Sequence, residues 1–406
     1  MHKVKSIKGG VCSAKGFRAA GVGAEIKYKG RNDVALIVAD APCTAAAVFT
    51  TNKVAAAPVV YDRDVVRGGK VQAILANSGC ANACTGEQGL KDAQLCALAT
   101  AGELGVKPGH VLVASTGVIG RRLPVARLLA GMRAAKRLLG DTYAHGLAAE
   151  KAVMTTDTKP KQACAQVRIG GRTVTVGGMA KGSGMIEPNM ATMLGFVTTD
   201  AAVSRAMLRR ALGLALAKSF NRVVVDGDES TNDSLFLLAS GKAGNREIVR
   251  AGADFDAFRA ALEAVCVSLA QQMAADGEGA TRFVTVTVKG AKTEKDAARA
   301  ARAVAKSPLA KTSWFGRDPN WGRVLAAVGY SGAAVEDMKA EVFYDRVWAF
   351  RRGRIADERQ LAKLAAVMKK PSFTVTVDLH LGAAAASVYT CDFSLDYVHI
   401  NADYTT

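Results

Sequence analysis

A threonine that becomes the first residue of a chain carries its own base. Its free α-amine titrates at about 7.7 to 8.0, near enough to neutrality to take the proton of its own hydroxyl. The run Lys181-Gly-Ser-Gly-Met-Ile-Glu-Pro-Asn-Met-Ala-Thr-Met-Leu-Gly195 looks built to expose such a residue by cutting itself between Ala191 and Thr192. Attack of the Thr192 hydroxyl on the Ala191 carbonyl, an N-to-O acyl shift and hydrolysis of the resulting ester would free the Thr192 amine. The same hydroxyl can then carry acyl groups. An Ala-Thr pair between two methionines is, alone, an ordinary buried pair, and its context changes the reading. Lys181-Gly182-Ser183-Gly184 supplies an ammonium and a permissive backbone just upstream, and Pro188-Asn189 imposes a turn close to the scissile bond.

A second candidate is Ser115-Thr116-Gly117, which follows the apolar run Val111-Leu-Val-Ala and precedes Gly120. That is a strand-to-turn position, where a hydroxyl and a backbone N–H can point together at a developing oxyanion. Without further context it is a plain Ser/Thr-Gly turn.

The surrounding elements follow from periodicity. Val167, Ile169, Gly170-Gly171, Val174 and Val176 predict a hairpin with a tight glycine turn that delivers the chain into the Lys181 loop. Pro124 starts an apolar-periodic helix through Leu128, Leu129, Met132, Leu138 and Leu139, and Ser204 caps one carrying Leu208, Leu212, Ala215 and Leu216. Arg222-Val-Val-Val, Phe283-Val-Thr-Val-Thr-Val and Phe373-Thr-Val-Thr-Val predict strands, and Thr293 to Lys306 an exposed, charged helix. Helices and strands alternate in blocks, without a fixed-period repeat, which predicts a layered α/β fold.

Composition narrows the class. Of 406 residues, 50% are hydrophobic and 6% aromatic, enough for two sizeable cores or one large layered domain. The chain start is positively charged with no apolar segment behind it. No apolar stretch approaches the ~18 residues of a membrane span, so a cytoplasmic protein without membrane contact is expected. Eight irregularly spaced cysteines predict reduced thiols rather than a disulfide scaffold. Cys80 and Cys84 lack a second pair or a nearby histidine to complete a tetrahedral site, so packing is expected and no metal. No GxSxG or HExxH motif accompanies the five scattered histidines. The net charge of +18 raises nucleic-acid binding, but Arg209, Arg210, Arg299, Arg302, Lys369 and Lys370 are spread over several helical segments among acids, without aromatic platforms. A solvated surface is expected, with a field that helps attract a dicarboxylate such as glutamate.

Nearly the whole chain resembles the ornithine acetyltransferase family, also called bifunctional glutamate N-acetyltransferase, of the arginine pathway. Besides the Lys181 to Gly195 run, the resemblance rests on GFRAAG at Gly16, FTTNKVAAAPV at Phe49, NSGCANACTG at Asn77 and STGVIG at Ser115. It continues in MTTDT at Met154, DGDESTND at Asp226, DGEGATR at Asp276, DPNWGRVLAAVGYSG at Asp318 and DYVHINADYTT at Asp396. Two departures stand out: Cys80 replaces a common asparagine and Glu229 a common threonine. Neither falls on a position the family uses for catalysis.

The resemblance implies an αββα sandwich of the self-processing N-terminal-nucleophile-like type, cleaved into an α chain, 1–191, and a β chain, 192–406, that assemble as α2β2. It implies that Thr116 and the Gly117 amide stabilise the tetrahedral intermediate. It marks Thr155, Lys181, Thr192, Glu278, Asn401 and Thr406 as substrate contacts, with Thr156 close behind Thr155. Lys181 can pair a carboxylate and Glu278 an ammonium. The implied reaction takes acetyl from N2-acetyl-L-ornithine onto Thr192, releases ornithine, and passes the acetyl to L-glutamate, with no metal or organic cofactor. Acetyl-CoA as a second donor stays open. An N-terminal-threonine amidohydrolase or aminopeptidase, with water as acceptor, is the nearer alternative, and a nonenzymatic basic binding protein the farther one. Tyr397, Val398 and Ile400 are expected to anchor the tail so that Asn401 and Thr406 reach the site.

Overall fold

The hairpin expected before Lys181 forms in the computed structural model, which describes residues 3–187 and 193–403. Two antiparallel strands, β6 (Lys161–Ile169) and β7 (Arg172–Lys181), meet at Gly170 and Gly171, whose φ of 55° and 76° fit a tight turn that glycine enters most readily. Numbered with them in chain order, the earlier strands are β1 (Lys5–Ile7), β2 (Phe17–Val22), β3 (Val34–Phe49), β4 (Lys70–Asn77) and β5 (Val111–Ser115). After the hairpin come β8 (Leu194–Thr199), β9 (Val223–Val224), β10 (Ser234–Ala239) and β11 (Phe283–Ala291). Then follow β12 (Glu341–Tyr344), β13 (Val347–Arg351), β14 (Arg354–Ile355), β15 (Ser372–Asp378) and β16 (Ala384–Cys391).

The described chain divides into two units. The first holds residues 3–187, 193–221 and 228–269, and the second 222–227 and 270–403. In the first unit one sheet runs β1-β6-β7-β8-β10-β3-β4-β5, with β2 paired to β3. Its centre reads as apolar strand interiors: Leu194, Phe196, Phe236 and Leu238 pack with Ile37, Ile74 and Leu112 in one cluster. The other face packs Leu36, Leu75 and Val113 against Cys96, Leu128 and Met132 of two covering helices. Numbering from the first helix, α1 (Ala57–Arg67), α2 (Gly86–Leu104), α3 (Val125–Arg137), α4 (Tyr143–Val153) and α5 (Arg205–Lys218) belong to this unit. After α6 (Ala253–Ala275), the helices α7 (Glu294–Lys306), α8 (Pro308–Phe315), α9 (Trp321–Gly329), α10 (Glu358–Met368) and α11 (Leu395–Asp403) belong to the second.

The second unit has its own sheet, β14-β13-β12-β15-β11-β16-β9. Val284, Val286 and Val288 of β11 and Val375 and Val377 of β15 alternate into a core with Trp314 and Tyr344. Sheets covered by helices bear out the α/β class and are consistent with the expected αββα arrangement.

Several expectations need correction. The helix from Pro124 ends at Arg137, where Leu138 becomes the C-cap and stands 59% exposed. The helix after Thr293 is not exposed all round: Ala297, Ala300, Ala301, Val304 and Ala305 are fully buried, since small side chains let its backbone approach the sheet. Arg222-Val-Val-Val contributes a strand of two residues only, Val223–Val224. The Ser204 cap is as expected, its hydroxyl accepting the Met207 N–H at 3.5 Å.

Candidate active site

Lys181 is the last residue of β7 and Leu194 the first of β8, and the two are paired in the antiparallel ladder. The segment between them carries Ala191 and Thr192, which lie outside the described residues. Both of its ends are fixed. Upstream, Gly182 N–H donates to Asp157 Oδ1 at 2.7 Å. Downstream, Met193 N–H donates to Asp233 Oδ1 at 2.6 Å and Ser234 N–H donates to the Met193 carbonyl at 3.0 Å.

The upstream end is built around Asp157, whose side chain is fully buried. Its Oδ1 also accepts from Lys161 Nζ at 2.7 Å, and its Oδ2 accepts the Thr155 N–H at 3.1 Å. Burial alone would push this carboxyl up. The ammonium groups of Lys181 and Lys161, with the hydrogen bonds from Lys161 and Gly182, outweigh burial and hold it down at about 2. It therefore stays ionised and fixes the MTTDT segment to the start of the Lys181 loop. Thr156 Oγ1 and Ser183 Oγ share a 2.7 Å hydrogen bond across the same junction.

Lys181 itself is 4% exposed, and its Nζ donates to Thr116 Oγ1 at 3.2 Å. A hydroxyl that accepts from an ammonium keeps its own proton available to donate, which is the role an oxyanion donor needs. The turn that carries Thr116 is tightly backed. Thr116 N–H donates to the Asn77 carbonyl at 3.0 Å, Ser115 Oγ donates to Asn77 Oδ1 at 2.7 Å, and Asn77 Nδ2 donates to the Cys80 carbonyl at 2.9 Å. Gly117 has φ of 130°, and a Cβ there would lie 2.4 Å from the Gly79 carbonyl carbon and 2.6 Å from the Cys80 nitrogen. No other residue fits so close a backbone crossing.

In the second unit, α11 (Leu395–Asp403) brings Asn401 to Glu278: the Asn401 Nδ2 donates to Glu278 Oε2 at 2.8 Å, and also to the Tyr397 carbonyl at 3.0 Å. Glu278 is buried in the loop before β11, where Thr281 N–H and Arg282 N–H converge on Asp392 Oδ1 at 2.8 and 2.9 Å.

Residues 18–406 match the ArgJ family over nearly the whole chain. The chain belongs to the ArgJ family. It is 52% identical to the arginine biosynthesis bifunctional protein ArgJ of Symbiobacterium thermophilum, over 98% of this chain and 99% of that protein. It is 50% identical to the protein of the same name from Geobacter sulfurreducens, over 97% of this chain and 100% of that one. A solved ornithine acetyltransferase from Mycobacterium tuberculosis, complexed with ornithine, is 40% identical; the match covers 47% of this chain and 100% of that chain, with a TM-score of 0.43. This ArgJ-family chain is accordingly an enzyme of arginine biosynthesis.

In this ArgJ-family chain, Thr116, Gly117, Thr155 and Lys181 gather in the first unit, and Glu278 and Asn401 pair in the second. Thr192, Ala191 and Thr406 lie outside the described residues. The tail anchor differs from expectation: Val398 is 61% exposed and no side chain of α11 is buried, while the Tyr397 ring stacks on Phe393 at 4.7 Å. Asp157, Asn77, Asn232 and Asp233 stand in the quoted motifs but were given no role in the site. A signal was present in the last three, since Asn77 closes an apolar strand run and Asn232 and Asp233 stand just before one. Among the described residues no group of His, Cys, Asp or Glu is arranged to hold a metal, and no helix is long and apolar enough to cross a membrane.

Proposed function

We propose that this ArgJ-family enzyme moves acetyl from N2-acetyl-L-ornithine to L-glutamate through an acetyl ester on Thr192, after cutting itself between Ala191 and Thr192. The observation that carries the reading is the Lys181 to Thr116 hydrogen bond at the fixed upstream end of the segment holding Thr192. It prepares a hydroxyl donor beside the strand end from which that segment departs. In the first half-reaction the Thr192 hydroxyl attacks the acetyl carbonyl and its amine takes the proton. The oxyanion leans on Thr116 and the Gly117 N–H, and ornithine leaves with the returned proton. In the second, the α-amine of glutamate attacks the ester and the same donors serve again.

Thr155, Lys181, Glu278, Asn401 and Thr406 are assigned to the amino-acid substrates. Glu278 supplies a carboxylate for an ammonium, and Asn401 holds that carboxylate in place. Cleavage gives chains 1–191 and 192–406. They stay together because β7 pairs with β8 and β3 pairs with β10, so both products contribute neighbouring strands to one sheet. An α2β2 assembly is adopted from the resemblance. The relatives' bifunctional name favours a second activity, read here as acetylation of glutamate from acetyl-CoA.

The test is product analysis with glutamate and each donor supplied separately. Ornithine release from acetylornithine that depends on glutamate and is matched one for one by N-acetylglutamate supports the transferase. Equal release of acetate without glutamate would favour the hydrolase instead.

A further inference from the structure

Two consecutive buried residues reach two different parts of the candidate site. Asn232 Nδ2 donates to the carbonyl of Ser115 at 2.8 Å, next to Thr116, and to the carbonyl of Ala81 at 2.6 Å, in the segment that backs the turn. Asp233 Oδ1 accepts the N–H of Met193 at 2.6 Å, the residue that follows Thr192. One peptide unit thus ties the oxyanion turn to the head of β8.

The pair is itself held from both sides. Thr231 Oγ1 donates to Asn232 Oδ1 at 2.5 Å and Asn232 N–H donates to Ser230 Oγ at 3.1 Å. Thr50 N–H donates to the Asp233 carbonyl at 3.0 Å, and Thr50 Oγ1 donates to the Ser230 carbonyl at 2.8 Å. Directly after Asp233 the chain enters β10, which runs parallel to β8 from the Ser234 and Leu194 pair onward. Asn232 and Asp233 are 8% and 1% exposed, so water does not compete for these bonds. The amide orientation of Asn232 is fixed by its partners: two carbonyls face its nitrogen and a hydroxyl faces its oxygen.

We propose that Asn232 and Asp233 are positioning residues that hold the turn of Thr116 and Gly117 in register with Met193 at the head of β8, the residue bonded to the proposed nucleophile. The proposal rests on the reading of Thr192 as nucleophile. Its physical basis is that acyl transfer needs the attacking oxygen and the oxyanion donors in register, and a displacement of about 1 Å costs on the order of 10²-fold in rate. A bond network spanning both parts through one rigid peptide unit suits that need better than two independent supports. Neither residue touches substrate in this account, so their loss acts on turnover and leaves binding alone.

The experiment uses the full chain and three variants, Asn232→Leu, Asp233→Ala and Asp233→Asn. It measures self-cleavage, the rate of acetyl-Thr192 formation from acetylornithine, kcat and KM, and the thermal midpoint. Asn232→Leu and Asp233→Ala are expected to slow acetylation and kcat by about 10²-fold, with KM for either substrate within about twofold. Asp233→Asn keeps an oxygen to accept the Met193 N–H and is expected to recover to within about 10-fold of the parent enzyme. Slower self-cleavage at an unchanged thermal midpoint counts for the proposal, because the same hydroxyl serves both steps. If Asn232→Leu does not fold, Asn232→Ser, which keeps one donor, is expected to lower kcat about 10-fold. Parent-like kcat in Asn232→Leu and Asp233→Ala, or a change confined to KM, would overturn the proposal. Absence of acetyl on Thr192 in the parent enzyme would overturn the nucleophile reading and the proposal with it.

Discussion

Lys181 Nζ lies 3.2 Å from Thr116 Oγ1, a hydrogen bond between the end of one strand and a turn that is 65 residues away in sequence. Under the proposed mechanism it gives Lys181 a task apart from the proposed pairing of a substrate carboxylate: its ammonium leaves the Thr116 hydroxyl free to donate. Thr116→Ala should lower kcat by about 10² to 10³ with little change in KM. Lys181→Met should lower kcat by about 10-fold or more. Because the two side chains act as a unit, the double variant should lose less than the product of the single losses. Steady-state kinetics on the four proteins checks this, and strict multiplicativity would separate Lys181 from the oxyanion donor.

Asp157 gives the fold an acid-sensitive joint. Its carboxyl would titrate at 3.8 unperturbed and is held at about 2 in the folded protein, so the folded state favours the ionised form. Its contribution is full above 3.8 and is lost as pH falls through about 2, and the shift corresponds to about 2 kcal/mol. The gap in thermal midpoint between the parent protein and Asp157→Asn should therefore be widest near neutrality and narrow across that window. A gap that does not change with pH would show that the ionised carboxylate is not what joins Thr155, Lys161 and Gly182.

The thiols should divide sharply. Burial pushes Cys12, Cys43, Cys96 and Cys266 up to about 12, and Cys80, Cys164 and Cys391 are buried and raised as well. Cys84 is exposed. Brief iodoacetamide treatment of native protein should label Cys84 and leave the other seven until denaturation. Peptide mapping that finds a second thiol labelled at a comparable rate would contradict the burial pattern.

How much of this could be read from the sequence depends on the range of the interaction. The Gly170-Gly171 turn, the Ser204 cap and the strand before Ser115 are set by residues within a few positions, and each forms where expected. The buried face of Ala297 to Ala305 was legible as a stripe of small apolar residues at helical spacing, and the expectation of an exposed helix weighted Lys295, Arg299 and Arg302 over that stripe. The Phe49, Asn77, Ser115 and Asp226 motifs were visible as separate words. Their joining through Thr50 to Ser230 and Asn232 to Ser115 spans more than a hundred residues, and no local pattern encodes it. By contrast, the Tyr397 ring stacks on Phe393 only four residues earlier, a local spacing that was legible and that the expected Val398 and Ile400 anchor did not use.

The central claim is that Thr192 becomes N-terminal and carries the acetyl group. Purified protein should be incubated with N2-acetyl-L-ornithine alone, quenched in acid and resolved by denaturing mass analysis with peptide sequencing. The account predicts two fragments, 1–191 and 192–406, with one acetyl group on the Thr192 peptide that disappears when glutamate is added. An intact chain that is fully active, or turnover with acetyl never found on Thr192, would contradict it.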